Sequence, residues 1–463
     1  MNLVSSVKNK LRWGRNTVRD LLHRPAERAG RHQGASFVNL PVDEHQSSFF
    51  GYYTRSPWNR SGDILFQETR GRGARASVNH PLVVKVFRPI TSEVISLGET
   101  YAWNWQQGCM LQWLGPKGDR VIYNAYDPHD DAYRSVIVEL TSGRAMTICQ
   151  PIYSVNPQGT HALTLNFSRL AKLRPDYGYF NKKSPEKLGL SEDGIWTVDL
   201  VRNESRLILS LKEIIESGEK EPQMDADKRG LGAFRKYEDP GHMAGLEHKV
   251  NHIDISPDGK RFLFLHRWFT DRGKMTRLLT ADVEGNNLCC LANDEMVSHC
   301  IWKPARVRAQ ASEAGPGTVR ACAGRPPERP GNERQILAYA RKKGIGDRYF
   351  LFTDQSSEYQ IIGEGLLNED GHPSFSPEGR WLLTDTYPGK DRMSSLILFD
   401  LRDKRRIELG AFFQPYRFSG ELRCDLHPRW SLDERFVSFD SCHTGRRSFY
   451  VLDVRESVGS SSA

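Results

Sequence analysis

HIDISPDGKRFLFLH, residues 252–266, is the stretch on which the fold turns. Apolar and polar residues alternate up to Ser256-Pro257-Asp258-Gly259, and a β-rich run follows. That is the pattern of a hairpin, with glycine supplying the positive φ the turn requires. The pattern returns as HPSFSPEGRWLLTDTY (372–387) and HPRWSLDERFVSFDS (427–441). HCIWKPA, from His299, resumes after an interruption as QILAYARK (335–342). Weaker copies are SPWNRSGDILFQE from Ser56, MLQWLGPKGDRVIYN from Met110 and PIYSVNPQGTHALTLNF from Pro151, seven in all. A third and fourth strand follow some copies, as in SSLILFDL-RDK-RRIELG. Four antiparallel strands repeating every ~40–55 residues predict propeller blades. The reading is an all-β, seven-bladed β-propeller spanning 34–463. The last copy ends at YVLDV (450–454) without an outer strand, and SFVNLPV (36–42) is predicted to supply it from the N-terminal side.

Two segments stand apart. Residues 1–33 space Val4, Val7, Leu11, Val18, Leu21 and Leu22 among eight basic residues, predicting a basic amphipathic helix, with two readings open: a frayed leader without a partner, or peripheral contact with an anionic inner-membrane surface. Residues 303–334 are rich in Arg, Ala, Gly and Pro and are expected to be a disordered insertion between the first two strands of a blade. The two segments carry +6 and +4 of the net +8, which leaves the body near neutrality and argues against a nucleic-acid-binding face. With 38% hydrophobic and 26% charged residues, the chain is neither globally disordered nor a polytopic membrane protein. Eight irregularly spaced cysteines and no recognisable signal peptide predict a cytoplasmic protein with free thiols. No phosphate-binding loop, zincin motif or nucleophile elbow occurs, and no helix pattern follows the glycine-rich GRGAR (71–75).

Chemistry is read from register. His252, His299, His372 and His427 each open their copy, five residues before Pro257, Pro304, Pro377 and Leu432. Equivalent positions on inner strands lie at equivalent distances from a propeller axis. Four neighbouring blades should therefore aim four imidazoles at one region of the channel mouth, where they can hold a divalent metal, or a metal and a substrate. The first three copies carry Arg55, Met110 or Leu111, and Ile152 there. Polar residues at the same end (Tyr53, Arg55, Asn104, Gln107, Arg423 and Asp425) suit an anionic sugar, and YAWNWQQ (101–107) offers stacking rings. His266 and Arg267 end a strand that returns to that face, and His443 has the equivalent place in the last copy.

VNHIDISPDGKRFLFLHRW, VSHCIW and DGHPSFSPEGRWLLTDTYP resemble the oligogalacturonate lyases, seven-bladed propellers, with the likeness carried by residues 245–455. The resemblance implies a divalent metal, manganese, held by His299 and His372, and β-elimination on a uronate-containing oligo- or polysaccharide with His252 as the base. Where that family has a glutamine and two histidines, NEDGHPSF (368–375) offers only His372, and His427 from the next blade supplies the missing imidazole. Arg423 or Arg55 would grip the uronate carboxylate, with Tyr53, Asn104, Gln107, Arg267 and Asp425 lining the substrate. Two rivals stand beside this reading. One is a non-catalytic glycan-binding or scaffold propeller in bacterial surface-polysaccharide assembly. The other is a glycosidase using Asp370 and Asp425.

Overall fold

The computed structural model describes residues 36–217, 243, 245–271, 273–304 and 334–459. Both the basic N-terminal segment, up to residue 35, and most of the predicted insertion, 305–333, lie outside the described residues. The described strands form seven four-stranded antiparallel sheets in a closed series. Blades 1–6 take their strands in order from 47–100, 112–148, 154–210, 248–292, 297–362 and 374–413. Blade 7 comprises Arg429–Trp430, Phe436–Ser441 and Ser448–Asp453, and its fourth strand is Ser36–Val38, paired antiparallel with Ser448–Asp453. Closure by an N-terminal strand is thus observed.

The inner hairpins of blades 4, 6 and 7 turn on the same small network. The Ser256 N–H donates to the Arg261 carbonyl and the Gly259 N–H to the Ser256 carbonyl, while the Ser256 hydroxyl accepts from the Arg261 N–H at 3.0 Å. Ser376 and Ser431 repeat the arrangement. Gly259 and Gly379 take φ of 74° and 73°; in blade 7, Glu434 adopts 58° at the same place. Sheets packed on both faces read as nearly unbroken apolar runs. Arg261–Thr270 accordingly buries its first eight residues, polar ones included.

Blade 1 begins earlier than the repeat starting at Ser56. Its inner strand is Ser47–Phe49, and an irregular stretch runs on to a bridge between Trp58 and Ile64. Blade 3 carries the short helix Phe167–Leu173 and a long connection before Gly194–Asp199. That connection leaves from the end of the propeller at which the inner strands begin, called here the upper face. No described helix is long and apolar enough to cross a membrane.

Candidate functional site

The histidines meet. In blades 4 and 5 the inner ladder slips between Asn251 and Asp254 and between Val297 and Cys300, which puts His252 and His299 inside the irregularities. His252 and His427 take φ of 57° and 45°, and Met110 takes 55° at the equivalent position of blade 2. Such bulges re-aim a side chain, and positive φ is sparsely used by residues other than glycine. The rings form an arc: centroids are 5.7 Å apart for His252 and His299, 4.0 Å for His299 and His372, and 4.3 Å for His372 and His427. All four are buried. Tyr52 and Tyr53 of blade 1 fill the arc's open side. The Tyr52 ring lies 5.4 Å from both His252 and His427, and the Tyr53 ring 5.4 Å from His372. The Tyr53 hydroxyl is tied down, donating to the Cys300 carbonyl at 2.9 Å and accepting the Cys300 N–H at 3.1 Å.

Carboxylates orient two of the imidazoles. His372 Nδ1 lies 2.9 and 3.0 Å from the two Asp385 oxygens. An ionised carboxylate only accepts, so Nδ1 carries the proton and Nε2 presents its lone pair. Asp385 also accepts the backbone N–H groups of His372 and His427, at 2.7 and 3.1 Å. His299 Nδ1 sits 3.2 Å from Asp370 in the same manner. Carboxylate-to-histidine support of this kind commonly backs a metal ligand.

His372 Nε2, Asp425 Oδ1 and both ring nitrogens of His427 and of His252 are buried with no hydrogen-bond partner. One ligand atom each of His372, Asp425 and His427 lies within 4.8 Å of the others. Orphaned buried polar atoms cost about 1–3 kcal/mol each. A concentration of them on imidazole and carboxylate donors fits a divalent transition metal. The strongest donor set therefore includes Asp425, read from sequence as a substrate residue; His299 borders it through His372.

Electrostatics separates the four rings. Burial, then the charge of Arg267, pushes His252 well below its ordinary value, so its imidazole is neutral. Burial, then His372, does the same to His427. Burial and His372 bring His299 down to about 4 against the pull of Asp370. At His372 burial opposes the charged form, but Asp385 and Asp425 outweigh it and raise the value. Burial works against the ionised carboxyls of Asp425 and Asp370, yet Arg423 and His299 respectively hold both below the usual range. Neither is kept protonated as a glycosidase acid must be.

A roof covers the cluster. Tyr177, in blade 3's long connection, stacks on His252 at 5.8 Å and meets Tyr52 edge-on at 5.9 Å. Its neighbour Asp176 takes the Arg174 Nε–H at 2.8 Å and pairs with Arg423, whose Nε donates to Asp425 at 2.7 Å. Tyr387 leans over His372 at 5.6 Å and His299 at 6.2 Å. Tyr52, Tyr177, Arg174 and Asp176 were not singled out by sequence, because they lie outside the repeat's register and reach the axis only through loop geometry; Tyr387 ends the copy that starts at His372, at the place of Arg267, and was passed over.

The other predicted residues divide into groups. Arg55 is committed to Asp254 at 2.6 Å and Gln112 at 2.8 Å. Arg267 donates only to the Val297 and Ser298 carbonyls, at 3.3 and 3.1 Å. It has no carboxylate partner among the described residues, and its Nε is unpaired. Gln107 donates to the Tyr153 hydroxyl at 2.7 Å, which in turn accepts the His252 N–H at 3.1 Å, so Gln107 positions the His252 backbone. Asn104 is occupied by its own turn, accepting the Gln106 and Gln107 N–H groups. His266 faces away from the axis, bonded to His248 at 2.9 Å and Arg277 at 3.1 Å. His443 packs on Phe412 and Tyr450, apart from the four.

A seven-bladed propeller with an imidazole arc at its axis is the class that this geometry defines, and comparison with known proteins agrees on the fold. The chain resembles oligogalacturonate lyase from Vibrio parahaemolyticus, with a TM-score of 0.54 and 13% identity over 93% of this chain and 99% of that one. It also resembles an oligogalacturonate lyase in complex with manganese, with a TM-score of 0.56 and 14% identity over 93% of this chain and all of that one. At such identities the likeness establishes the fold. Among curated sequences, dipeptidyl-peptidase 5 of Porphyromonas gingivalis is 23% identical over 132 residues. The match covers 26% of this chain and 18% of that protein, so the chain spans under a fifth of that relative's length. No family model matches.

Proposed function

We propose that the chain is a metal-dependent lyase that cleaves uronate-containing oligosaccharides by β-elimination. The observation that carries the reading is the convergence of His372, Asp425 and His427, one ligand atom of each lying within 4.8 Å of the others, with His372 Nε2 and both His427 ring nitrogens unpartnered. The oligogalacturonate lyase that binds manganese supports it by its shared fold. His372, His427 and Asp425, with His299 beside them, would hold a divalent ion, manganese by that analogy. Such an ion supplies Lewis-acid stabilisation of charge developing on the uronate carboxylate.

The chain's own residues do the rest. Arg267, a buried guanidinium without a carboxylate partner, takes the substrate carboxylate; Arg55 and Arg423 already have theirs. His252, neutral and with both ring nitrogens unoccupied, accepts the proton α to that carboxylate. The carboxylate's negative charge strengthens this base by offsetting the nearby Arg267. The C–H electron pair becomes the C4–C5 double bond, and the C4–O bond breaks. The Tyr52 hydroxyl, buried and unpartnered, protonates the departing oxygen. The roof of Tyr177 and Asp176 excludes water and must lift to admit a sugar.

The unsaturated product absorbs in the ultraviolet. Purified protein with manganese should give rising absorbance on at least one member of a panel of uronate oligosaccharides, and a flat trace across the panel refutes the lyase. Burial of all four imidazoles under the roof favours one second reading, a glycan-binding or scaffold propeller that has kept the bowl without turnover. Stoichiometric metal, lost in His372→Ala, separates the enzyme from that alternative.

A further inference from the structure

A cavity on the upper face, between blades 7 and 1, has a volume of about 350 Å³, within the range of small-ligand sites. Its wall carries Arg70, Arg72, Arg417, Arg446 and Arg447, and among the described residues no carboxylate lines it. Arg70, Arg72, Arg446 and Arg447 form no ion pair among the described residues; the Asp43 charge is felt by Arg70 only at longer range. Arg446 Nε and Arg447 Nε are buried and unpartnered. Arg447 is fixed by donating to the Trp105 and Arg423 carbonyls, at 2.8 and 2.6 Å. Trp105 and Phe418 add ring surface to the same wall. The GRGAR loop, which no part of the proposed elimination uses, supplies Arg72, and Arg70 directly precedes it. Its Gly71 is obligatory, since a Cβ there would meet the Ala76 Cβ at 2.9 Å.

Arg70, Arg72, Arg446 and Arg447 bring like charges to one pocket and repel each other, and the desolvated Arg446 and Arg447 nitrogens without acceptors add to the cost. An anion with several acceptor oxygens relieves both, because arginine forks match carboxylate and phosphate geometry. We propose that this cavity is a second ligand site, separate from the imidazole arc, which takes a multiply charged anion of sugar size. The charges are carboxylates on an acidic glycan or phosphates on a sugar phosphate, with a sugar ring lying against Trp105 and Phe418.

Calorimetric titration of the full chain with tri-galacturonate and with fructose 1,6-bisphosphate distinguishes the two sources. At least one probe should bind, weakening as salt is raised. That binding should fall at least about tenfold in Arg72→Ala/Arg446→Ala, given the strength of charge-assisted hydrogen bonds. Arg72→Gln/Arg446→Gln serves if the alanine variant unfolds. Loss confined to the bisphosphate assigns phosphates, and loss confined to the trimer assigns carboxylates. Equal affinity in wild type and both variants, or binding of neither probe by the wild type, overturns the proposal whatever the imidazole arc does.

Discussion

Where the repeat copies of blades 4–7 each open on a histidine, those of blades 1–3 carry Arg55, Met110 or Leu111, and Ile152 at the matching place. The two halves share hairpin, register and even positive φ, which Met110 adopts as His252 and His427 do. Their contributions differ. The histidine half supplies lone pairs backed by Asp370 and Asp385. The other half supplies what surrounds them. Tyr52 and Tyr53 pack against the rings, Tyr153 and Gln107 fix the His252 backbone, and Tyr177 caps it. A repeated backbone thus lets ligands and surroundings be chosen separately, one blade at a time.

The sharpest way to break this division is to remove a ligand. His372→Ala should abolish both bound metal and elimination, while the milder Asp385→Asn should lower metal affinity about 10–100-fold. Elemental analysis and ultraviolet turnover check both, and a fully loaded His372→Ala protein would end the assignment. Next in size, His252→Ala should keep its metal yet lose about 10²–10⁴ in kcat, the range of a general base. Equal loss of metal would return His252 to the ligand set. Arg267→Met should raise KM about 10–100-fold, the worth of a charge-assisted hydrogen bond. It should also raise stability by about 1 kcal/mol, because a buried guanidinium without an acid is gone. Urea midpoints and steady-state kinetics measure the two effects.

A smaller effect tests the field around Arg267. Burial, then Arg267 and Arg174, pulls Lys249 down to about 6 from 10.5. Between those values the unfolded chain binds a proton that the folded chain lacks, so stability rises with pH across this window. The penalty is largest below pH 6 and vanishes above the unfolded value. Lys249→Met should flatten the stability profile between pH 6.5 and 9 by up to about 1.4 kcal/mol per unit. An unchanged slope would mean that Lys249 is charged in the fold. Smallest is Glu434→Gly. Glu434 holds φ of 58° where Gly259 and Gly379 stand in sister blades. Relief of the left-handed strain, about 1–2 kcal/mol, is partly offset by losing its bond to the Glu378 N–H, leaving a gain below about 1 kcal/mol in thermal unfolding.

Much of the architecture was legible because one hairpin motif recurs with its serine, turn residue and flanking alternation intact, and because YVLDV lacked an outer partner that SFV supplied. Blade 1 was read late, since Ser47–Phe49 belongs to no copy of the motif and is defined only by pairing with Ile64–Thr69. In the site, equal spacing revealed the four histidines, as register is a local property. Asp425 was visible as a polar neighbour, but its approach to His372 and His427 depends on a loop path that spacing does not encode. The same holds for Asp176 and Tyr177, which come from blade 3 and act beside blades 4 and 7.

The closing strand has a consequence for biosynthesis. Ser36–Val38 leaves the ribosome before the strands of blades 1–6, and its partner, Ser448–Asp453, follows all of them. His427 belongs to that same final sheet, so a nascent chain stalled after blade 6 has neither a sealed ring nor its last imidazole. The four-imidazole arc is therefore completed only with the sheet that seals the ring.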